Sequence, residues 1–549
     1  AFLSFSAPWI LPLNPSRLAQ LTSKYPKTWV IPGSAAMVLG EAVLGASCTA
    51  LFLRASQKLS VIAILRSLWR RAPTARSSVK YLPQVLFETR SEKNVQMHMM
   101  GLCGPSIIFA GDPGLVTHIT NQSASSATSP SSLESLPKYL RVNPLDEHYN
   151  EWIGLITQLT GMKAFLDKSL AESIWFQPSG IVHKRQRKMF RSFAKKFGTR
   201  DSQVAIYSKA MEVMEALIVK NEQVDLFNKL QQIVAILQLH FIMDYSLPAG
   251  WSVEKYLEVT NGVFGAMYAF ESPSEWHRQQ LDELLNDMMQ NADVHGLLNH
   301  MEEEAVSPEE IKHNLTAGLL LGQQSLANAL FWFVLYFAQN PEMLDKVRED
   351  EKKLPAIILE LLRTHPPSSP FLMPYLALRD DVYNGQIIKK GNLIVVIPIL
   401  MHLDEDVWKN ALTFDEGRFE AYVDKRRRLY KRDKETDRET GAASPTEVFA
   451  TMPLNPRDNY PVSHSKGPHD LCPFGVGEAT CPMQGFLIAL ISNVARILIH
   501  KWTVEVHDLD SLNDPLIEHV LLDTGSRPWK RPYATFTPRT RHDVTSDWW

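Results

Sequence analysis

The chain has 549 residues, a length that corresponds to one large domain or two ordinary ones. With 45% hydrophobic and 21% charged residues it can bury a large core, which is typical of a globular rather than a disordered protein. The formal net charge of -3 argues against nucleic acid as a partner, and four cysteines in so long a chain do not form a disulfide framework. Low cysteine usage favours a reducing compartment.

The first 70 residues carry two apolar stretches and are predicted to attach the chain to a membrane. The stretch 29–53 is long enough to span a bilayer, and a shorter apolar run covers residues 59–69. Four cations follow: Arg70, Arg71, Arg76 and Lys80. Such a cluster stays on the cytoplasmic side, which predicts that a domain of residues 84–549 lies there, beyond a linker at 71–83. A buried helical hairpin or a targeting segment is the alternative interpretation.

Beyond the linker, the pattern changes from a short strand to a run of helices. SIIFAGDPG at 106–114 predicts a strand and its exit turn, and residues 121–132 predict a polar loop. From about residue 151 to about residue 343 the periodicity is mainly helical. Within this region, residues 180–197 predict a strongly basic helix.

Residues 308–339 predict the longest helix of the chain. Ser307 can cap its start, and Asn340-Pro341 ends it. It is apolar nearly all round, which indicates a helix through the middle of the protein. The polar residues 322–325 interrupt this apolar surface. Because buried polar side chains cost free energy without partners, we expect them to bond one another or to face a cavity.

The last third of the chain changes composition. Residues 354–363 predict a further helix, and QIIKKGNLIVVIPI at 386–399 predicts strands. Residues 421–440 are almost entirely charged or polar, so we interpret 421–465 as a mobile surface insertion. The predicted fold class is therefore mainly α with a small β part.

A glycine-containing loop at 474–482, FGVGEATCP, delivers Cys481 just before an apolar predicted helix. Glycines allow the backbone to turn tightly, and a helix N-terminus lowers the pKa of a thiol, which favours a thiolate metal ligand. The loop resembles the haem-binding loop of the cytochrome P-450 family, Phe-x-x-Gly-x-x-x-Cys, which Phe474, Gly477 and Cys481 match.

Two further motifs stand in the order of the same family. Glu360 and Arg363 resemble its Glu-x-x-Arg motif, an i,i+3 ion pair on one helix face. FDEGRF at 414–419 resembles Phe-x-Pro-x-Arg-Phe, with Glu416 in place of the proline. The resemblance implies a structural triad of Glu360, Arg363 and Arg418 that holds the core behind the haem.

The resemblance covers roughly residues 81–507 and implies a P-450-like fold with the long central helix over the haem. By the same analogy, His183 and Arg187 on the basic helix would face the haem propionates. A solvated cationic face is the alternative for these two residues, because runs of charge usually form one.

The sequence departs from the family's pattern around the expected haem. The Gly-x-acid-Thr group of the central helix, which relays protons, is matched by Gly322, Gln323, Gln324 and Ser325. An amide thus replaces the acid, and a relay through water would depend on Ser325. Ala479 and Tyr375 stand in place of arginines that bind propionates, and Met483 stands in place of a glycine that packs on the porphyrin.

The implied cofactor is haem b, with its iron ligated by the Cys481 thiolate, a ligand that favours O–O cleavage. The implied activity is that of a monooxygenase acting on a lipophilic small molecule with O2. Electrons would come from a separate reductase, because the sequence has no flavin or nicotinamide fingerprint. An anchored member of this family is expected in the endoplasmic reticulum membrane, or in a plastid membrane if Ala1 marks a cleaved precursor.

Three other interpretations stay open. A haem-thiolate enzyme that does not activate external O2, such as a peroxide-using, isomerising or dehydrating enzyme, is favoured by Gln324. A non-catalytic haem-binding membrane protein is favoured by the missing propionate partners. Finally, a zinc site could use four residues of one loop: His464, His469, Cys472 and Cys481.

Overall fold

The structure is a computed structural model, and it describes residues 52–53, 94–98, 106–123, 137–142, 162–178, 180–268, 272–291, 296–304, 306–367, 374–436, 470–507, 519–522, 525–528 and 532–539. Most of the predicted anchor, the apolar run at 59–69 and the linker at 71–83 lie outside the described residues. So do residues 437–465 of the predicted insertion and His469.

Helices dominate the described chain, so the prediction of a mainly α protein with a small β part is confirmed. The α-helices are α1 (Pro113–Asn121), α2 (Met162–Ser169), α3 (Ile181–Lys195), α4 (Arg200–Leu217), α5 (Leu226–Gln238), α6 (Val253–Tyr268), α7 (Glu275–Asn291), α8 (Leu297–Glu303), α9 (Pro308–Gln339), α10 (Pro341–Glu349), α11 (Leu354–Thr364), α12 (Pro398–His402), α13 (Glu420–Thr436) and α14 (Gln484–Lys501).

The strands form one larger sheet and several small ones. They are β1 (Phe52–Leu53), β2 (Asn94–His98), β3 (Ser106–Ala110), β4 (Tyr139–Arg141), β5 (Gln223–Asp225), β6 (Pro374–Ala377), β7 (Asp381–Tyr383), β8 (Gln386–Ile388), β9 (Leu393–Val396), β10 (Trp502–Val506), β11 (His519–Leu522), β12 (Gly525–Pro528) and β13 (Tyr533–Pro538). The larger sheet has the order β1-β2-β3-β9-β6-β4, with β3 and β9 parallel and its other pairs antiparallel.

Helix α9 runs through the core, as its sequence predicts. The Ser307 hydroxyl caps it by accepting the N–H of Glu310 at 3.2 Å, and α5, α6, α11 and α14 pack around it. Among the described residues it is the one helix long and apolar enough to cross a bilayer. Because 78% of its most apolar stretch is buried inside the protein, those properties are explained by its place in the core.

Residues 421–436 of the predicted mobile insertion are helical rather than irregular, because they belong to α13. Its first turn is held by the buried Tyr422 and Val423. Further along, Arg427 pairs with Asp424 at 3.0 Å and donates to the Lys352 carbonyl at 2.7 Å. An i,i+3 pair of this kind supports a charged helix that has little apolar surface of its own.

A network around Asp381 joins α1, β4 and β7 at one end of the larger sheet. The carboxylate accepts hydrogen bonds from His118 Nε2 at 2.7 Å, from Tyr139 Oη at 2.8 Å and from Lys138 Nζ at 2.8 Å. Burial raises the pKa of Asp381, but these hydrogen bonds more than offset burial and hold the pKa well below its ordinary value. The carboxylate is therefore ionised in the folded protein at neutral pH.

Asp381→Asn should lower the free energy of unfolding by about 3 kcal/mol at neutral pH, because it removes the anionic acceptor of three donors. Since the folded pKa is depressed, this contribution is present above the unfolded pKa near about 4 and is lost as the pH falls through the folded value. Urea unfolding across that range measures it. Asp380→Asn, at the neighbouring exposed carboxylate, is the control. An equal loss in both variants, or a loss independent of pH, contradicts the assignment.

Candidate active site

The loop at 474–482 places Cys481 three residues before the start of α14. Gly475 and Gly477 have positive φ values of 89° and 52°, which side chains with a Cβ rarely adopt. A Cβ on Gly477 would also lie 2.9 Å from Cγ2 of Thr120. The Cys481 N–H donates to the Phe474 carbonyl at 2.7 Å and closes the loop. Two of the residues that matched the motif, Phe474 and Gly477, thus shape the turn that holds the third.

The surroundings of Cys481 differ from those of Cys472. Burial raises the pKa of the half-buried Cys481 thiol, whereas the backbone N–H of Met483 and the charge of Arg187 act in the opposite direction. Cys472 is fully enclosed, and burial followed by the charge of Asp470 raises its pKa far above the ordinary value. Cys481 is therefore the cysteine suited to act as a thiolate ligand.

Arg187 and His183 lie on the buried face of α3, beside the cysteine loop. Arg187 Nη1 donates to the carbonyl of Thr480 at 2.6 Å and to that of Glu478. His183 is 2% exposed, and its Nδ1 has no hydrogen-bond partner among the described residues. Burial, with the nearby arginines, lowers the pKa of His183 to about 3, so the ring is neutral. These two residues are buried rather than part of a solvated cationic face.

Arg141 is a third buried cation that the sequence did not single out. It lies on β4 directly opposite Tyr375 on β6, so the two side chains share one face of the sheet. It donates to the carbonyl of Gln177 at 2.6 Å and to two further carbonyls of the same segment. Tyr375 in turn donates to the Val476 carbonyl at 3.2 Å. The strand register thus brings Arg141 next to Tyr375, the residue that stands in place of an expected arginine.

Glu360, Arg363 and Arg418 form one buried network. The Glu360 carboxylate accepts Arg363 Nη2 at 2.7 Å and Nε at 2.8 Å, and Arg418 Nε lies 3.1 Å from both of its oxygens. Arg363 Nη1 donates to the carbonyls of His402 at 2.6 Å and Ala411 at 2.8 Å. The substituted Glu416 is exposed and leaves the network intact.

His402 connects this network to Cys472, two residues before the start of the cysteine loop. Its Nδ1 donates to the Arg363 carbonyl at 3.1 Å, and its Nε2 accepts the Cys472 N–H at 2.8 Å. Burial, followed by the charge of Arg363, lowers the pKa of His402 to about 3, which keeps the ring in the neutral form that both bonds require. The sequence carried no signal for this role, because His402 stands alone at the end of α12.

The two glutamines among the polar residues of the central helix do not bond to one another. Gln324 Nε2 donates to Asn261 Oδ1 at 2.6 Å, and Gln323 Nε2 donates to Thr260 Oγ1 at 2.8 Å, so both amides tie α9 to α6. The expectation that these residues bond one another was wrong for the two glutamines, because their partners lie on another helix, 63 residues away in each case. Ser325 is half-buried.

The geometry agrees with three comparisons with known proteins. A model of the family described as Cytochrome P450 matches residues 189–526. The steroid 17-alpha-hydroxylase/17,20 lyase of Squalus acanthias is 26% identical over 172 residues, which are 28% of this chain and 32% of that protein. The ferruginol synthase of Salvia pomifera is 24% identical over 218 residues, 36% and 39% of the two chains. The matches thus span about a third of these relatives' length.

Solved structures share the fold. A retinoic-acid-bound cyanobacterial CYP120A1 superimposes with a TM-score of 0.56 at 14% identity, covering 82% of this chain and 94% of that one. A zebra fish cytochrome P450 with abiraterone superimposes with a TM-score of 0.55 at 16% identity, covering 84% and 100%. The resemblance inferred from ordered motifs is confirmed by the family model.

Arg363→Ala should lower the free energy of unfolding by about 4 kcal/mol, because it removes one of the two guanidinium partners of the buried Glu360 carboxylate and the donor to the carbonyls of His402 and Ala411. We expect little folded protein and a lower midpoint of thermal unfolding. Arg363→Lys should recover only part of the loss, since an ammonium group cannot bridge both carboxylate oxygens and two carbonyls.

Arg428→Ala, which removes an exposed cation from α13, is the matched control and should leave the midpoint unchanged. Normal yield and an unchanged midpoint for Arg363→Ala would show that the network does not hold the fold together.

Proposed function

We propose that this chain, which belongs to the cytochrome P450 family, is a haem-thiolate monooxygenase that oxidises a lipophilic small molecule. The observation that carries the proposal is the position of Cys481. Its thiol stands before the start of α14, accepts a backbone N–H, and lies beside the buried Arg187. An anionic sulfur ligand is stabilised by all three features.

The residues around Cys481 fit haem b. Cys481 would supply the thiolate ligand of the iron, and the buried guanidinium groups of Arg141 and Arg187 are suited to bind carboxylates. The Nδ1 of His183, which has no partner among the described residues, offers a further polar contact on the same side. When bound, haem with a thiolate ligand supplies the activation of O2, because the thiolate favours O–O cleavage.

Proton delivery in this chain would depend on the Ser325 hydroxyl, because Gln324 carries an amide in place of a carboxyl group. A carboxamide does not donate and regain a proton as a carboxyl group does, and the Gln324 amide is engaged by Asn261. The half-buried hydroxyl of Ser325 can pass a proton through water. Gly322 allows the Gln238 side chain to approach this part of α9 closely, because a Cβ at position 322 would lie only 2.9 Å from Gln238 Nε2.

The amide of Gln324, which stands in place of an acid, also favours a second candidate function. A haem-thiolate enzyme that uses peroxide, or that isomerises or dehydrates its substrate, needs less proton delivery to bound O2. Turnover with a reductase, NADPH and O2 supports the monooxygenase. Turnover with peroxide or substrate alone supports the second function.

The substrate we propose is a rigid lipophilic molecule, such as a steroid or a terpenoid. The relatives include the steroid hydroxylase and a drimenol monooxygenase of Persicaria hydropiper, which is 28% identical over 163 residues. A substrate of this kind would enter a pocket lined in part by α9, whose side chains are largely apolar.

The outer face of α3 is the proposed docking surface for an electron-donating reductase. Lys184, Lys188, Arg191 and Lys195 are exposed along it, and the opposite face of the same helix carries Arg187 against the cysteine loop. An acidic partner bound there would stand close to Cys481. Complementary charge of this kind increases the rate of association.

Membrane attachment through the apolar stretch that starts at residue 29, upstream of the strand Phe52–Leu53, completes the proposal, with the catalytic domain in the cytosol at the endoplasmic reticulum. It is supported by the apolar stretch and by the cations that follow it.

Cys481→Ala tests the haem ligand directly. The reduced, carbon-monoxide-bound protein should show a strongly red-shifted Soret band in the wild type and lose it in the variant, because no thiolate remains at the ligand position. Cys472→Ala is the matched control and should retain the band. A red-shifted band in Cys481→Ala would contradict the assignment and make Cys472 the ligand. Absence of haem from the wild type would contradict the proposed function.

Charge reversal on α3 tests the reductase surface. Lys188→Glu with Arg191→Glu should raise the reductase concentration needed for half-maximal turnover about tenfold at low salt, and the difference should shrink as salt is added. Turnover that a chemical oxidant drives in place of the reductase should be unaffected by these two substitutions. Lys220→Glu, at an exposed cation three residues beyond the end of α4, is the control. Equal effects at both sites would indicate general charge rather than a docking surface.

A further inference from the structure

The side-chain amides of Gln324 and Asn261 leave part of their hydrogen-bonding capacity unused. One bond joins them, from Gln324 Nε2 to Asn261 Oδ1 at 2.6 Å. Among the described residues, Gln324 Oε1 and Asn261 Nδ2 form no hydrogen bond, either with each other or with a third group. Because the nitrogen and the oxygen of an amide share one carbon atom, this acceptor and this donor both lie beside the bond that joins α9 to α6.

The two unused atoms are accessible, although they lie deep in the protein. Gln324 is only 3% exposed and Asn261 is half-buried, yet neither Gln324 Oε1 nor Asn261 Nδ2 is completely enclosed. In contrast, the Oε1 of the neighbouring Gln323 is completely enclosed. A small molecule can therefore reach the amide pair of Gln324 and Asn261, but it cannot reach the Gln323 oxygen.

One face of α9 keeps some exposure beside this pair. Between residues 315 and 335 the half-buried residues of the helix are Gly318, Leu321, Gly322 and Ser325. Their spacing of three and four residues places them on one face. Gln324 follows Leu321 by three residues, so its amide stands at the edge of that face. A molecule that lies along this face would contact apolar surface and would meet the amide pair at one side.

We propose that the amide pair of Gln324 and Asn261 binds a hydroxyl group of the substrate, so that this chain selects a lipophilic alcohol over the matching hydrocarbon. The inference rests on the proposed function and defines its substrate class more closely. A hydroxyl group is both a donor and an acceptor. Its oxygen accepts from Asn261 Nδ2 and its O–H donates to Gln324 Oε1, which satisfies both remaining groups.

A hydrocarbon in the same position would cover both amides without bonding either of them. Burying an unpaired donor or acceptor costs more free energy than a made hydrogen bond contributes. A site that is built to bond a hydroxyl group for this reason rejects the analogue that lacks it. The amide pair thus sets the selectivity for an alcohol, while the apolar face of α9 accommodates the rest of the molecule.

Asn261→Leu tests the proposal, because it removes the donor and keeps most of the volume of the side chain. The purified holoprotein is dialysed to equilibrium against tritiated androstanol or tritiated androstane, a steroid alcohol and its parent hydrocarbon. We expect the wild type to bind the alcohol about tenfold more tightly, the usual scale of one hydrogen bond, and the variant to bind both compounds equally. Equal affinities in the wild type, or an unchanged preference in Asn261→Leu, would overturn the proposal.

Thr260→Val is the matched control. It removes the neighbouring bond between the same two helices, in which Gln323 Nε2 donates to Thr260 Oγ1 at 2.8 Å, and it keeps the size of the side chain. The preference for androstanol should persist in this variant. If both variants lose the preference, looser contact between α9 and α6 sets the selectivity, and the role of the amide pair is wrong.

Should Asn261→Leu fold poorly, Asn261→Asp keeps an oxygen that accepts Gln324 Nε2 and removes only the donor. Androstanone, the corresponding ketone, can only accept a hydrogen bond. Its affinity should fall about tenfold in Asn261→Asp, whereas the affinity for androstane should stay the same. An unchanged affinity for androstanone would contradict the proposal.

The two proposals fail in different ways. A wild type without the red-shifted Soret band contradicts the proposed function. A wild type that shows the band and binds androstanol and androstane equally contradicts only the role of the amide pair.

Discussion

The Glu360 carboxylate is fully buried, and a charge in that position is tolerated only because two guanidinium groups and a backbone N–H surround it. Because the partners come from α11 and from the loop that precedes α13, their pairing fixes how these segments meet. Arg363 also binds the carbonyls of His402 and Ala411. The site therefore depends on an ion pair that takes no part in its chemistry.

His402 extends that constraint to the cysteine loop. It binds Arg363 through one ring nitrogen and the Cys472 N–H through the other, so a rigid neutral ring spans the distance between the network and the loop. The loop itself is closed by the bond from Cys481 to Phe474. The position and the direction of the Cys481 thiol are thus set by a chain of buried hydrogen bonds rather than by the loop sequence alone.

The cysteine loop is surrounded by fewer cations than the pattern of the family predicts. Tyr375 and Ala479 remove two cations, while Arg141 lies opposite Tyr375 on the neighbouring strand and donates to the carbonyls of Ile174, Trp175 and Gln177. In the central helix, Gln324 similarly exchanges a carboxylic acid for an amide that binds Asn261. Both changes reduce the charged groups available near the thiolate.

The sequence by itself determined the fold class, the long core helix and the family, because hydrophobic periodicity, capping residues and ordered motifs are local properties of the chain. It also singled out Glu360, Arg363, Arg418 and Cys481, whose spacing carries a recognisable pattern. Only the tertiary structure decided which groups surround them. Arg141, His402 and Asn261 reach their partners through strand register and helix packing, over separations of 39 to 70 residues for His402 and 63 for Asn261. Contacts of that range leave no periodic trace in a single sequence, since they depend on how folded elements meet rather than on the residues next to them.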